Sequence, residues 1–166
     1  MSQTPIDIQK TLIEVKVRLL QGLHDEGFRL LDSIKDKIDL NQHNWLLCNI
    51  IDIGECDVIL KFLEKFGELF NLARCKNLKR LVICSILNNG NISKYLEIAI
   101  NEIIRRGEEN VIFDIIVQTI SENEKINYNN LLKIAESYKL LGFYNRYTQL
   151  IDIACRSGIK ELCKKI

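Results

Sequence analysis

Proline is almost missing from this chain of 166 residues, and its single occurrence is Pro5. Because proline removes a backbone N–H donor and clashes with the preceding helical turn, a chain without later proline can form helix after helix without an imposed break. Aromatic residues are also few, at 7%, and the formal net charge is only +1. This charge balance creates no strong overall field toward nucleic acid or a membrane surface.

Long hydrophobic runs are missing as well. The longest apolar stretches, Leu81–Leu87 and Val111–Ile120, are too short or contain a charge, whereas a membrane-spanning helix needs about 20 apolar residues. The segment Met1–Asp7 has no apolar run of the kind found in a secretory signal. We therefore expect no membrane association and a cytoplasmic location.

The sequence has little that is typical of catalysis. It contains none of the G-x-x-x-x-G-K, G-x-G-x-x-G or G-x-S-x-G motifs that bind phosphates or present a nucleophilic serine. The only histidines are His24 and His43, and neither has cysteine, aspartate or glutamate at metal-ligand spacing. We expect both histidines to be solvated surface residues, and we expect a protein that is not an enzyme and uses no cofactor and no metal.

Cysteine is comparatively frequent, with six residues, but none forms a C-x-x-C pair. The six lie in apolar stretches with helical spacing, where a reduced cysteine behaves as a small hydrophobic residue. The sequence therefore favours buried thiols over a disulfide framework or a metal site. The residues concerned are Cys48, Cys56, Cys75, Cys84, Cys155 and Cys163.

Apolar residues make up 47% of the chain and charged residues 27%, a composition typical of a globular protein. A chain of this length can bury a sizeable core, and it falls within the usual size of one domain. We therefore predict a single all-helical domain over residues 1–166.

Glycines separate the amphipathic stretches, and Gly22, Gly54, Gly90 and Gly142 each follow one stretch and precede the next. Apolar residues at spacings of three and four predict helices between these points. The second helix, for example, has Phe28, Leu31, Ile34 and Ile38 as its predicted core face. The predicted helices are 5–21, one that starts at 25, 43–53, 56–66, 73–88, 94–106, 109–121, 128–141, 144–157 and a tail helix over 159–165.

Polar residues mark several of the predicted helix ends. Thr4 is expected to cap the first helix and Ser93 the sixth, because a hydroxyl oxygen can accept from the free N–H groups of a first turn. The polar stretch Asn41–His43 is predicted to be a loop before the third helix.

The glycine pattern repeats at intervals of about 35 residues, which is the length of a two-helix repeat unit. About nine antiparallel helices arranged as stacked hairpins in a short right-handed superhelix would account for this spacing. The alternative is an irregular helical bundle in which the glycine spacing is accidental.

The last predicted hairpin, residues 128–158, resembles a tetratricopeptide repeat. That family places a large apolar residue, a small residue and a tyrosine along its first helix, then a glycine at the turn, an aromatic residue two positions later and a small residue late in the second helix. The matching residues are Leu131, Ala135, Tyr138, Gly142, Tyr144 and Ala154.

The same hairpin departs from the family at Tyr147, where the family places a small alanine, and the proline usual between repeats is missing. A bulky residue there would hold the two helices further apart. The segment from Gly22 to Gly27 is a second, weaker match. The resemblance implies a helical-hairpin scaffold that binds a peptide or protein in a groove.

A basic cluster within the predicted helix 73–88 is the candidate partner-binding face. It consists of Arg74, Lys76, Asn77, Lys79 and Arg80. A helix face with cations and amides can receive an acidic peptide or a phosphate backbone. The alternative interpretation is that these residues are simply the solvated side of their helix.

Two functions follow from these patterns. The first is a non-enzymatic scaffold or adaptor that binds an unidentified protein or peptide on a helical groove, with an acidic partner as one candidate and with self-association expected if end hairpins expose apolar faces. The second is nucleic-acid binding through the 74–80 cluster. The near-neutral charge and the scarcity of aromatic residues beside the cations make the second less favoured.

Overall fold

The computed structural model describes residues 5–69 and 71–165, and every regular element within these ranges is helical. The predicted all-α class is confirmed. Two 3-10 helices, Gly67–Leu69 and Leu72–Arg74, lie between the fourth and fifth α-helices. The ten α-helices of the described residues are α1 Pro5–Leu20, α2 His24–Ile34, α3 Leu40–Ile53, α4 Cys56–Phe66, α5 Leu78–Leu87, α6 Ser93–Arg105, α7 Glu109–Glu122, α8 Tyr128–Leu140, α9 Tyr144–Arg156 and α10 Lys160–Cys163.

The helices form two compact units, Met1–Asn77 and Leu78–Ile166. In the first unit α1 packs against α2 and α3. In the second unit α8 packs against α5, α6, α9 and α10. The prediction of one domain over residues 1–166 and that of a right-handed superhelix both stay predictions.

The core of the first unit is built from the faces that the apolar spacing indicates. Leu12, Val15 and Leu19 of α1 are fully buried, and the predicted core face of the second helix is buried as well. Gly27 allows α1 and α2 to approach closely, because a Cβ atom at this position would lie 2.7 Å from Cδ2 of Leu19. Burial of these aliphatic side chains is the main term that stabilises the helix pair.

The third helix begins earlier than predicted, and the predicted loop Asn41–His43 is wrong. Asp39 accepts a hydrogen bond from the Gln42 backbone N–H at 2.8 Å, and the Gln42 side chain accepts one from the Asp39 N–H at 3.0 Å. This reciprocal capping box satisfies two N–H groups at the start of α3 and so allows the polar residues to be helical. The expected solvation of His43 is also wrong, since its ring is buried and its Nε2 lies 3.2 Å from the Lys35 carbonyl oxygen.

In the second unit two asparagines hold the start of α8 in place. Asn127 caps the helix by accepting from the Asn130 N–H at 3.1 Å. Asn130 is itself buried, and its side-chain amide donates to the carbonyl oxygens of Ser85 and Gly90 at 2.9 and 3.0 Å. A buried polar group costs free energy unless it is hydrogen-bonded in this way. The two amides therefore position α8 against α5 and against the loop that follows α5.

At four places consecutive helices are joined by three residues, and the middle residue is glycine. At the α8–α9 junction Gly142 has a φ of +90°, its N–H donates to Lys139, and the next N–H, that of Phe143, donates to the Tyr138 carbonyl oxygen at 2.9 Å. This is a Schellman ending, which favours glycine because the left-handed backbone conformation penalises a Cβ atom. Gly22, Gly107 and Gly158 adopt the same arrangement.

Three predicted helix ends need correction or are untested. The predicted helix 73–88 is interrupted, because Cys75 has extended backbone angles of −77° and 146° between the second 3-10 helix and α5. Ser93 does not cap α6, since Ile92 is the capping residue and the Ser93 hydroxyl donates to Asn91 instead. The predicted capping residue Thr4 lies outside the described residues.

The expectation of reduced thiols is contradicted by the structure. Cys48 is joined to Cys75, Cys155 is joined to Cys163, and the remaining two cysteines are also disulfide-bonded. Pairing was invisible in the sequence because partners such as Cys48 and Cys75 are distant along the chain and meet only after folding.

Within the part of the chain that the structure describes, no helix combines the length and the apolar character needed to cross a membrane.

Candidate functional site

The predicted partner-binding residues do not share one helix. Arg74 ends the second 3-10 helix, Lys76 and Asn77 lie in the irregular segment after it, and Lys79 and Arg80 belong to the first turn of α5. The predicted single helix face is therefore wrong. The physical reason is the buried disulfide at Cys75, which holds the intervening backbone in an extended conformation.

Several of these side chains already have partners within their own unit. In the first unit the Asn77 amide donates to Asp52 at 2.9 Å, and Arg74 donates to Asn41 at 3.5 Å. In the second unit the Lys79 ammonium forms an ion pair with Glu108. That these residues bind a partner stays a prediction, but the side chains above are engaged in contacts that hold the fold.

The turn between α8 and α9 presents a different candidate surface. Leu140 is 72% exposed and Tyr144 is 62% exposed, and Leu141 between them is exposed as well. We call Leu140, Leu141, Phe143 and Tyr144 the α8–α9 tip. Leu140, Leu141 and Tyr144 are exposed where Gly142 ends α8 and α9 begins two residues later, whereas Phe143 is half-buried and its ring contacts that of Tyr138.

A cleft of about 470 Å³ lies beside the tip and is lined by Gly142, Phe143, Tyr144, Asn145, Arg146 and Gln149. Its charged residue, Arg146, is held firmly. Its Nε donates to Glu109 at 2.7 Å, a terminal nitrogen donates to Asn110 at 2.6 Å, and its Cζ atom lies 4.1 Å from the centre of the Phe113 ring. Ion pairing, hydrogen bonding and a cation–π contact therefore fix one guanidinium orientation.

Tyr138 lies beneath this arrangement and is fully buried. Its ring makes edge contacts with Phe113 and Phe143, with centroid distances of 6.3 and 6.2 Å. Its hydroxyl has no hydrogen-bond partner among the described residues. Burial raises the pKa of the Tyr138 phenol, and the nearby carboxylate of Glu109 raises it further. The hydroxyl is thus kept neutral within a rigid aromatic base.

In the sequence, Tyr138 and Tyr144 indicate only a helical hairpin, and no local pattern marks Arg146 as a functional residue. Glu109 and Asn110, which accept from Arg146, lie on α7 more than thirty residues earlier, so no local spacing could indicate the ion pair. The exposure of Leu140 was equally hidden, since an apolar residue at a helix end can be either buried or free.

A second cleft of about 750 Å³ lies at the start of α8 and is lined mostly by polar residues, including Asn89, Asn91 and Asn129. Two of its lining side chains, Asn127 and Asn130, are already used to hold α8 in place. This cleft has fewer exposed apolar groups than the α8–α9 tip, so the tip is the stronger candidate for recognition.

Comparison with known proteins gives a family and a fold. The family model described as Domain of unknown function (DUF1955) matches residues 7–166. A crystal structure of a hypothetical protein from the hyperthermophilic archaeon Sulfolobus tokodaii is 28% identical, covers 95% of this chain and 97% of its own, and superposes with a TM-score of 0.71. No curated protein matched the chain. The resemblance of residues 128–158 to a tetratricopeptide repeat stays a prediction.

Proposed function

We propose that this chain, which belongs to the DUF1955 family, is a non-enzymatic adaptor that binds a protein or peptide partner at the α8–α9 tip. The observation that carries the proposal is the exposure of Tyr144 in the same cleft as the fixed guanidinium of Arg146, with Leu140 exposed at the same turn. Large apolar side chains grouped at one exposed turn gain free energy when a partner covers them.

The composition of this surface supports the same conclusion. Tyrosine and arginine are the residue types that most often dominate the binding energy of protein interfaces. Tyr144 can contribute a large ring area at low entropy cost, and Arg146 is already held by Glu109, so little side-chain freedom is lost on binding. A surface with these properties is suited to recognition rather than to bond-breaking chemistry.

The adaptor proposal keeps the predicted class of partner, a protein or peptide, but places the binding surface at the α8–α9 tip instead of at residues 74–80. Residues 74–80 do not share one helix, whereas the α8–α9 tip lies in the hairpin whose resemblance to a tetratricopeptide repeat implies binding of a peptide or protein. The location of the protein in the cell, predicted to be the cytoplasm, belongs to this proposal as well.

The test is affinity capture from extract of the native organism, with and without nuclease, using wild type and Leu140→Ser/Tyr144→Ser. The matched control is Ile98→Ser/Val111→Ser, which also replaces two exposed apolar residues of the second unit. We expect a nuclease-resistant partner that binds wild type and the control variant and is lost from the tip variant. Circular dichroism would establish that both variants remain folded.

Other outcomes would overturn the proposal. Equal capture by the tip variant would place the binding surface elsewhere. Recovery of nucleic acid, or of partners that vanish with nuclease and depend on Lys76 and Arg80, would favour the predicted alternative of nucleic-acid binding. In that case the affinity should also fall steeply with salt.

A further inference from the structure

The first helix has two apolar faces, although only one of them contributes to the core. Leu12, Val15 and Leu19 are fully buried against α2 and α3. Ile13 and Val17 point away from that core and are 46% and 42% exposed. A helix on the surface of a monomer ordinarily carries one apolar face and one polar face, so the second face needs an explanation.

The exposed residues form a single stripe. Ile6, Ile13 and Val17 are separated by seven and four positions, and residues at these spacings lie on the same side of an α-helix. Trp45 of α3 extends the surface next to this helix, since Lys16 of α1 lies over its ring with Nζ 5.2 Å from the centroid. The α1 stripe, defined as Ile6, Ile13 and Val17, thus runs along most of a helix that spans Pro5–Leu20.

The charges beside the α1 stripe indicate what covers it. Lys10 and Glu14 both lie on the same flank of the stripe, and they are placed symmetrically about position 12, which is also the middle of the stripe. When two identical helices pack antiparallel, residues on the same flank face each other across the interface. Lys10 of one copy would then face Glu14 of the other, and the second such pair would form by symmetry.

We infer that the α1 stripe binds a second copy of this chain, in an antiparallel α1–α1 pair about a two-fold axis. Such an interface is self-complementary, because the same patch serves both subunits. A parallel pair would bring opposite flanks together, so Lys10 of one copy could not form an ion pair with Glu14 of the other. The favoured occupant of the α1 stripe is therefore an antiparallel copy.

This inference concerns a surface other than the α8–α9 tip and does not depend on the proposed adaptor function. A dimer would carry two tips, and two linked binding sites can raise the apparent affinity for a bivalent partner without any new contact. The two ideas fail separately, since the dimer is measured on the isolated protein and the adaptor on its captured partner.

The first test is sedimentation equilibrium of the purified full chain over a wide range of concentrations. Wild type is expected to self-associate, and Ile13→Glu/Val17→Glu is expected to be monomeric over the same range because it places four carboxylates in the interface. The matched control, Ile98→Glu/Val111→Glu, changes two exposed residues of the other unit and should associate like wild type. A monomeric wild type, or a stripe variant that associates like wild type, would overturn the proposal.

Charge reversal tests the antiparallel register. Lys10→Glu and Glu14→Lys should each weaken self-association by about tenfold, since each converts two attractive pairs into two repulsive ones. An equimolar mixture of the two variants should associate again, because each Glu pair then faces a Lys pair, and the double variant should associate like wild type.

Failure of both the mixture and the double variant to associate would exclude this register even if wild type is a dimer. If wild type is monomeric and a different protein is captured through Ile13 and Val17, that protein covers the α1 stripe. The inference that a second copy of this chain covers it would then be wrong.

Discussion

At the scale of single residues, Tyr138 shows a direct conflict between burial and polarity. The ring fills the space between two phenylalanines, and the hydroxyl that comes with it has no partner among the described residues. A buried hydroxyl without a hydrogen bond costs about 1–3 kcal/mol by protein mutational data. The neighbouring ion pair of Glu109 and Arg146 does not remove this cost, because its hydrogen-bonding groups are directed to each other and to Asn110.

Tyr138→Phe is therefore expected to raise the free energy of unfolding by about 1 kcal/mol at neutral pH, since it removes only the unpaired hydroxyl. The raised pKa of Tyr138 adds a pH dependence. Burial destabilises the phenolate in the folded state, so the stability of the fold is retained below the unfolded tyrosine pKa of about 10 and falls as the pH rises above it. In urea unfolding at a series of alkaline pH values, the free energy of unfolding should fall less steeply with pH for Tyr138→Phe than for wild type.

The exposed tyrosine at position 144 provides the control, because Tyr144→Phe removes a hydroxyl that water can reach and should leave the neutral-pH stability unchanged. Destabilisation by Tyr138→Phe at neutral pH would mean that the hydroxyl has a partner, such as a bound ligand or water.

At the scale of helices, the contact between α1 and α2 depends on the absence of one side chain. Gly27 lies within α2 and is buried, and its missing Cβ would approach Cδ2 and Cγ of Leu19 to 2.7 and 2.8 Å. A glycine inside a helix costs about 1 kcal/mol relative to alanine, so this position retains it for packing and not for helix stability.

Gly27→Ala is expected to destabilise the protein by about 1 kcal/mol, because overpacking of a filled core outweighs the gain in helix propensity. In a Leu19→Ala background the two obstructing side-chain atoms are gone and the nearest atom that remains is the backbone nitrogen of residue 19 at 3.3 Å, so the gain in helix propensity should make the same substitution stabilising. Thermal or urea unfolding of the four proteins in this double-mutant cycle measures the change of sign. Destabilisation of equal size in both backgrounds would show that Leu19 is not the obstruction.

Local rules accounted for most of the helices and failed where tertiary contacts intervene. The fourth helix matches its predicted bounds of 56–66, and Gly22, Gly107, Gly142 and Gly158 end helices as their positions indicated. The start of α3 was predictable from its capping box and was missed, since the Asp39 and Gln42 pair is a local signal. The break at Cys75 had no local signal, because its cause is a bond to Cys48.

At the scale of the whole molecule, disulfides constrain the chain to different extents. The Cys48–Cys75 bond closes a loop with a sequence separation of 27, and the Cys155–Cys163 bond closes one with a separation of only 8. A cross-link stabilises mainly by reducing the entropy of the unfolded chain, and the effect grows with the length of the loop.

Cys48→Ser/Cys75→Ser is therefore expected to lower the free energy of unfolding by about 3–4 kcal/mol, and Cys155→Ser/Cys163→Ser by about 2–3 kcal/mol. Chemical unfolding without reductant gives both values. Thiol titration of the denatured wild type should find no free thiols, and detection of six would contradict the disulfides and restore the expectation of reduced cysteines.

The sequence by itself determined the helical class, the core face of α2 and the glycine endings, because each depends on residues within one or two helical turns. Only the tertiary structure decided which cysteines are paired, that Arg146 reaches Glu109, that the 74–80 residues lie on separate elements, and that α1 leaves an apolar stripe uncovered. These features depend on which distant segments come together. The order of residues along one helix does not indicate which other segment packs against it.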